Sequence, residues 1–237
     1  MIYKILNKVR NIIFPRPIII KDYKTYSQAG EDAILSFLFS DKKLSNISYL
    51  DLGTNLPDIC NNTYLLYKNG NRGVCVEADK TLIPIIEKAR PQDKILNAGV
   101  SVSTQLEADF YIFNIKGLNT FDKNEAEHRA SSGRFKIMEV VKVSLININQ
   151  IINDNFKTYP DLLSIDIEGL DLEVLKSLDF NQYPIPVICV ETCTFSENHI
   201  RPKDPSISEF IISKGYEIYA DTYINTILVN KNWFYKY

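Results

Sequence analysis

The sequence has no basic excess, no long apolar run and no C-x-x-C pair of cysteines. Its 27 Lys and Arg residues are balanced by 29 Asp and Glu residues. This balance disfavours a nucleic-acid partner, because nucleic-acid-binding domains usually carry a basic excess or stripe. No apolar run is long enough to span a membrane. Without a C-x-x-C pair, reduced thiols and a cytoplasmic location are expected, with Cys75 and Cys189 inside core strands.

The composition is that of an ordinary folded domain. With 237 residues, of which 45% are hydrophobic and 24% charged, the chain predicts one α/β domain over residues 25–237. Residues 1–24 precede it as an amphipathic helix, over residues 1–14, and a linker that begins at Pro15. We expect this helix to dock on the domain or on a second subunit of a homodimer. The alternative is peripheral contact with a membrane surface, because the helix is basic.

The first predicted strand–turn–helix unit has a single glycine in its turn. Residues 49–52 predict a buried strand, Gly53 its turn, and the sequence Asn61-Asn62-Thr63 the start of a helix. A second strand ends at Glu77. This acid follows Gly53 near the spacing of roughly 20 residues at which an acid meets the ribose of a bound nucleoside.

A dinucleotide-binding turn carries three glycines, which bring several backbone N–H groups close to a pyrophosphate. Here the residues after Gly53 are Thr54, Asn55, Leu56 and Pro57, and a proline has no N–H to donate. The turn therefore favours a nucleoside without a pyrophosphate, and S-adenosylmethionine (SAM) fits that description. The alternative is a tight turn that binds no ligand.

Acidic residues stand at the ends of several predicted strands, where ligands bind in open α/β sheets. Like charges brought together are costly unless a cation or a proton shares the site. The sulfonium of SAM is one such cation. A divalent metal such as Mg²⁺ is another, and oxygen ligands from three of the acids would hold it. The alternative is that the acids cap helices and bind solvent. The five acids are Asp51, Glu77, Asp166, Glu168 and Glu191, and the metal ligands would be Asp166, Glu168 and Glu191.

Two further segments hold polar candidates. A third strand is predicted over residues 94–100, and Asn97 near its end would meet an adenine edge or simply form a turn. The polar segment 117–135 would be a surface loop or a substrate lid. Within it, Arg129 and Arg134 would bind a phosphate or carboxylate group of a substrate, or remain solvated.

A candidate base and a C-terminal hairpin complete the pattern. His199 follows the Glu191 strand and would remove a hydroxyl proton during methyl transfer, with His128 as its rival. Residues 216–220 and 224–230 predict two strands joined by a short loop, which must pair as an antiparallel hairpin. A parallel sheet closed by such a hairpin is the arrangement of class I methyltransferases.

Several motifs, in their joint order over about residues 25–230, resemble the FkbM-type methyltransferases. The resemblance implies a SAM-dependent O-methyltransferase with a mostly parallel, seven-stranded Rossmann-like sheet, acting on a hydroxyl of a sugar, as a nucleotide-sugar or within a surface polysaccharide. The alternatives are an N-methyltransferase and a non-catalytic SAM-binding scaffold docked through the first helix. The motifs are Tyr26-Ser27-Gln28-x-Gly30-Glu31-Asp32, Leu50-Asp51-Leu52-Gly53-Thr54-Asn55, Asn61-Asn62-Thr63-Tyr64, Gly73-Val74-Cys75-Val76-Glu77, Ser164-Ile165-Asp166-Ile167-Glu168-Gly169-Leu170-Asp171, Val190-Glu191-Thr192 and Tyr223-Ile224-Asn225-Thr226.

The same resemblance implies roles for single residues. Gln28 and Glu31 would help to hold the polar tail of SAM, and Glu77 would take the ribose hydroxyls. Asp166 would face the methyl group and share the catalytic site with Glu168 and His199. The sequence departs from many members at Leu56-Pro57, where a further small residue is common. The residues that would line the cofactor at the first turn are Asp51, Gly53 and Asn55.

Overall fold

The computed structural model describes residues 24–115, 118–131, 133–167, 169–193 and 202–236. The helix predicted over residues 1–14, as well as Glu168 and His199, lies outside these ranges. The strands are β1 (Ser48–Leu52), β2 (Arg72–Glu77), β3 (Lys94–Asn97), β4 (Gly99–Ser101), β5 (Glu107–Phe113), β6 (Ile137–Asn147), β7 (Leu162–Ile165), β8 (Val187–Glu191), β9 (Tyr216–Asp221) and β10 (Asn225–Asn230). The helices are α1 (Glu31–Asp41), α2 (Tyr64–Lys68), α3 (Ile83–Ala89), α4 (Lys123–Ser131), α5 (Ile148–Asn155), α6 (Asp171–Ser177), α7 (Pro205–Ser213) and α8 (Lys231–Phe234).

The main sheet has seven strands in the order β3-β2-β1-β7-β8-β10-β9. Strands β3, β2, β1, β7 and β8 pair in parallel, whereas β10 is antiparallel to both β8 and β9. The predicted class I methyltransferase sheet, mostly parallel with a C-terminal antiparallel hairpin, is therefore confirmed. Strand β7 is the central one of the seven.

Helices cover both faces of this sheet, because alternate strand residues point to opposite sides. Leu50 and Leu52 face the layer of α5, α6 and α7, where Ile148 and Val174 are fully buried. Tyr49 faces the opposite layer, formed by α1, α2 and α8. Fully burying a side chain such as Leu or Ile contributes about 1.5–3 kcal/mol, so these two interfaces hold the strand ends in fixed positions.

The prediction of one continuous strand over residues 94–100 is correct only for residues 94–97. The strand breaks at Ala98, and residues 99–101 leave the main sheet to pair with β6 in a second sheet of order β4-β6-β5. Gly99 is closely packed at the point where the chain passes from one sheet to the other. A Cβ atom there would lie 2.4 Å from the ring of Phe121 and 2.7 Å from Leu145.

The described residues of the polar segment 117–135 are more ordered than a surface loop. The segment contains α4, which packs on the small sheet through a cluster of Phe113, Leu118, Ala126 and Phe135. Arg129 is buried here and donates hydrogen bonds to the Glu125 carboxylate (2.8 Å) and the Leu118 carbonyl (2.8 Å). Its guanidinium therefore stabilises the insertion, unlike either of the two roles predicted for it.

Two composition-based expectations can be compared with the fold. Cys75 and Cys189 are fully buried free thiols in core strands, as predicted. Among the described residues, no helix has the length and apolarity needed to cross a membrane.

Candidate functional site

A cavity of about 490 Å³ opens at the edge of the main sheet where the parallel strands end. Gly53, Asn55 and Glu77 line it from the ends of β1 and β2. Asp166 lines it from the end of β7, and Gln28 from the segment before α1. The small sheet closes the other side through a group of mainly apolar side chains, Phe110, Ile115, Asn119 and Phe121.

The glycine turn is packed so closely that only glycine fits. Gly53 has a positive φ of 81°, and a Cβ atom there would lie 1.9 Å from the backbone oxygen of Asp166. Its N–H donates to the Val76 carbonyl at 3.0 Å, which binds the turn to β2. The turn thus brings the ends of three neighbouring strands, β2, β1 and β7, to the same point.

Asn55 follows the turn with a left-handed backbone (φ 51°). Its N–H donates to the Glu77 carboxylate at 2.8 Å. Within the described part of the chain, its buried side-chain oxygen Oδ1 has no hydrogen-bond partner. Because an unsatisfied buried polar atom is costly, this oxygen on the cavity wall is a candidate acceptor for a donor group of a ligand.

Glu77 is held rigidly and still presents oxygen lone pairs. One carboxylate oxygen accepts from the Asn55 N–H and the other from the Asp79 N–H, each at 2.8 Å. The side chain is 7% exposed, and burial raises its pKa above the ordinary value even though these two backbone hydrogen bonds lower it. Each oxygen can accept one more hydrogen bond. Two adjacent hydroxyl groups of a ligand would meet that capacity.

A buried ion network lies behind the glycine turn. The Arg90 side chain is completely buried and contacts the carboxylates of Asp51 (3.3 Å) and Asp93 (2.9 Å), whose side chains are 5% and 0% exposed. Arg90 also donates to the Thr63 hydroxyl at 2.7 Å. The Tyr49 ring centroid lies 5.3 Å from its guanidinium carbon, a cation–π contact. The network joins β1, the start of α2 and the end of α3.

The Asp51 carboxylate points into this network, away from the cavity wall. It accepts from Thr63 Oγ1 at 2.8 Å and from Asn61 Nδ2 at 3.1 Å. Asn61 in turn accepts from the backbone N–H groups of Thr63 (3.0 Å) and Tyr64 (2.8 Å), which are the free donors at the start of α2. Asp51 therefore fixes both ends of the loop that carries Asn55.

Residues 51–218, more than half of the chain, match the model of the methyltransferase FkbM domain. The chain belongs to the FkbM methyltransferase family. It is therefore a SAM-dependent methyltransferase, as the motifs predicted.

Solved structures of other methyltransferases are similar at low sequence identity. A TehB-like SAM-dependent methyltransferase from Corynebacterium glutamicum is 11% identical, with 97% of each chain covered and a TM-score of 0.42. An O-methyltransferase from Bacillus cereus in complex with SAH is 10% identical, with 98% of this chain and 100% of that chain covered and a TM-score of 0.39. A comparison with curated proteins found no significant match.

The cavity of this FkbM methyltransferase fits the cofactor. Its volume lies within the range of about 300–1,000 Å³ that is usual for small-molecule sites. Glu77 offers lone pairs for vicinal hydroxyls, and Asn55 Oδ1 is an acceptor without a partner among the described residues. Asp166 adds a carboxylate on the same wall, which suits a cationic sulfur.

Two other predicted cofactor residues have their polar groups engaged by the protein. Glu31 is fully buried, and its carboxylate accepts from Thr222 Oγ1 (2.6 Å), the Ala29 N–H (2.8 Å) and Asn225 Nδ2 (3.0 Å). It thereby fixes the chain next to Gln28. Asn97 donates to the backbone carbonyls of Glu77 and Ala78, at 2.9 and 3.1 Å, and lies outside the cavity lining.

Only some of the residues predicted for catalysis or metal binding are described by the structure. Asp166 directly follows β7, and Glu191 ends the neighbouring β8 at the same edge of the sheet. Glu168 and His199 lie outside the described residues. The described residues contain no group of three or more His, Cys, Asp or Glu side chains that could hold a metal ion. The Mg²⁺ set therefore gains no support and stays a prediction.

Sequence reasoning missed Arg90 and Asp93. It gave Phe121 only as one of several aromatic residues in segment 110–121 that would stack on a sugar ring or pack in the core. Arg90 follows an amphipathic helix and precedes a proline, a position where a basic residue is usually solvated. One signal was available: Asp51 shares strand parity with Tyr49, which predicts a carboxylate beneath a helix layer that needs a buried cation. Phe121 had no local signal, because it reaches the cavity only through the packing of the small sheet.

Proposed function

We propose that this enzyme transfers the methyl group of SAM to a hydroxyl group of a sugar. The observation that supports it is the position of Asp166, which lines the cavity directly after the end of the central strand. A hydroxyl must give up its proton as it is methylated, and a carboxylate within reach of the hydroxyl orients it and stabilises that loss. An amine acceptor needs less of this assistance.

The protein residues then act mainly by binding and orientation. SAM, when bound, supplies a methyl group on a cationic sulfur. Glu77 accepts hydrogen bonds from two hydroxyls, and Asn55 Oδ1 accepts one further donor. Asp166 orients the acceptor hydroxyl, and His199 remains the predicted base. Because Gly53 has no side chain, the ligand can approach the backbone closely at the strand ends.

Calorimetric titration with SAM and with S-adenosylhomocysteine (SAH) tests the cofactor half of this proposal. Glu77→Ala should bind SAH about 10- to 100-fold more weakly, since hydrogen bonds to a charged group contribute about 1.5–3 kcal/mol. Glu87→Ala is the matched control, because Glu87 is an exposed acid on the neighbouring helix α3. This variant should bind SAH with the affinity of the wild type. A folded wild type that binds neither ligand would contradict the cofactor half of the proposal.

Transfer of labelled methyl groups tests the acceptor half. Nucleotide-sugars, oligosaccharides and amines are offered together with SAM, and the products are located by mass spectrometry and NMR. Methylation of a sugar oxygen is the expected result. Methylation confined to amines, in a protein that binds SAH, would contradict the sugar proposal and establish the N-methyltransferase alternative.

A further inference from the structure

Tyr223 is an exposed aromatic residue in a strained backbone conformation. Its φ is 76°, a left-handed value that is a genuine outlier for a bulky side chain. Its side chain is 57% exposed, so the ring adds little to the core. Strained residues of this kind persist where a function requires them, because a glycine would adopt the same conformation without cost.

The turn that carries Tyr223 is fixed on several sides. The Tyr223 N–H donates to the Asp221 carboxylate at 2.7 Å, and its carbonyl accepts from the Cys193 thiol at 2.9 Å. The preceding residue, Thr222, donates to the buried Glu31 carboxylate at 2.6 Å. The ring therefore projects from a rigid base that is tied to the cavity edge near Gln28.

The sheet register places Tyr223 beside the proposed acceptor position. Ile165 pairs with Val190, so Asp166, the next residue, lies level with Glu191, and Glu191 pairs with Asn225. Two strand spacings of about 4.8 Å separate Asp166 from Asn225, or about 10 Å. Tyr223 lies just beyond Asn225, on the side of Asp166 that faces away from Glu77.

The backbone positions of Asp166 and of the turn that carries Tyr223 are thus further apart than the two ends of one pyranose ring. Aromatic side chains bind sugars by stacking on their apolar C–H faces, and Tyr is well suited because it is large and rigid at low entropic cost. The Lys203 ammonium lies beside the same ring, 5.8 Å from its centroid, and is paired with the Asp221 carboxylate.

We propose that Tyr223 is the platform for the sugar unit next to the methylated one, so that the acceptor is a glycan of at least two sugar units. This inference rests on the proposed sugar O-methylation and narrows it. It separates an oligosaccharide or polysaccharide acceptor from a free monosaccharide.

Three variants isolate the ring from the backbone strain. Tyr223→Gly removes the ring and relieves the strain, so the fold should be retained. Tyr223→Phe keeps the stacking face. Tyr235→Ala removes another exposed tyrosine (58% exposed), which follows α8 at the opposite edge of the sheet and serves as the matched control.

Methyl transfer from labelled SAM is measured on matched probes: the methyl glycosides of common hexoses and their di- and trisaccharides. Tyr223→Gly should raise the KM for di- and trisaccharides about tenfold, with kcat and SAH affinity unchanged. Tyr223→Phe should restore the wild-type KM, and Tyr235→Ala should not alter it.

Two results would overturn the inference while leaving sugar methylation intact. One is an unchanged oligosaccharide KM in Tyr223→Gly. The other is a wild type that methylates monosaccharides as efficiently as their oligomers. If the wild type binds SAH but methylates no sugar, the proposed function itself fails and this inference falls with it.

Discussion

Replacing Arg90 with methionine should destabilise the protein strongly, because it leaves two buried carboxylates without their shared cation. Arg90 has no exposed surface, and it lies 3.3 Å from Asp51 and 2.9 Å from Asp93. Removing one partner of a buried ion pair costs about 3–5 kcal/mol. For a chain of this length each kcal/mol lowers Tm by about 2–4 °C, so we expect a decrease on the order of 6–20 °C.

The same change should also weaken cofactor binding. Arg90 holds the Thr63 hydroxyl and the Asp51 carboxylate, and these fix the loop that carries Asn55 to the cavity. Urea unfolding followed by circular dichroism gives the free energy of unfolding by linear extrapolation. SAH titration, below the unfolding range of the variant, gives the affinity.

A surface pair provides the matched control. Lys142 and Asp109 also form an ion pair, 2.7 Å apart, but their side chains are 66% and 47% exposed. Lys142→Met should leave the unfolding free energy nearly unchanged, since exposed pairs contribute little. If Arg90→Met is no more destabilising than Lys142→Met, the reasoning is wrong.

A charge-free variant separates electrostatics from packing. Combining Arg90→Met with Asp51→Asn and Asp93→Asn removes the unpaired charges, and buried ion networks replaced by neutral groups often regain stability. The triple variant should therefore be more stable than Arg90→Met alone. A triple variant that is equally unstable would show that the shape of the arginine, and not its charge, supports the loop.

Two further predictions concern the turn and the segment before α1. Gly53→Ala should cost on the order of 2–5 kcal/mol of unfolding free energy, because it combines a positive φ with a Cβ 1.9 Å from a backbone oxygen. Gly70→Ala, also at positive φ but with no atom within 4 Å, should cost clearly less in the same urea experiment. Burial raises the pKa of Glu31, but hydrogen bonds from Thr222, Ala29 and Asn225 outweigh it, so the pKa lies below its ordinary value of 4.5. The stability that this lowered pKa provides is present above pH 4.5 and is lost as the pH falls through the folded-state value. The stability difference between wild type and Glu31→Gln, measured by urea unfolding, should accordingly shrink between neutral and acidic pH. A difference that stays constant would contradict this linkage.

The strands of the main sheet were predictable because their patterns are local and strong. Buried apolar runs that end in an acid or a glycine predicted β1, β2, β7 and β8, and the short loop before Ile224 required a hairpin. The break at Ala98 was not predictable. It depends on Gly99 packing against Phe121 and Leu145, and contacts over such sequence distances leave no trace in a window of ten residues.

The candidate site was predicted in part. Five of the predicted residues do meet at one cavity: Gln28, Gly53, Asn55, Glu77 and Asp166. Their convergence follows from topology, since the ends of parallel strands share one edge of a sheet. Other predicted residues have their polar groups engaged elsewhere, because hydrogen bonding depends on tertiary neighbours. These are Glu31, Asp51 and Asn97.

The difference between Asp51 and Glu77 shows which physical rule decides the fate of an acid near the end of a strand. The two residues lie on the same face of the sheet, since Asp51 pairs with Cys75, two residues before Glu77. Asp51 precedes the end of β1 by one residue, so the helix layer still covers it and Arg90 must neutralise it. Glu77 is the last residue of β2, so its carboxylate passes the edge of that layer and reaches the cavity. A shift of two residues along the strand direction, about 6.6 Å, thus separates an acid that supports the fold from one that faces the ligand.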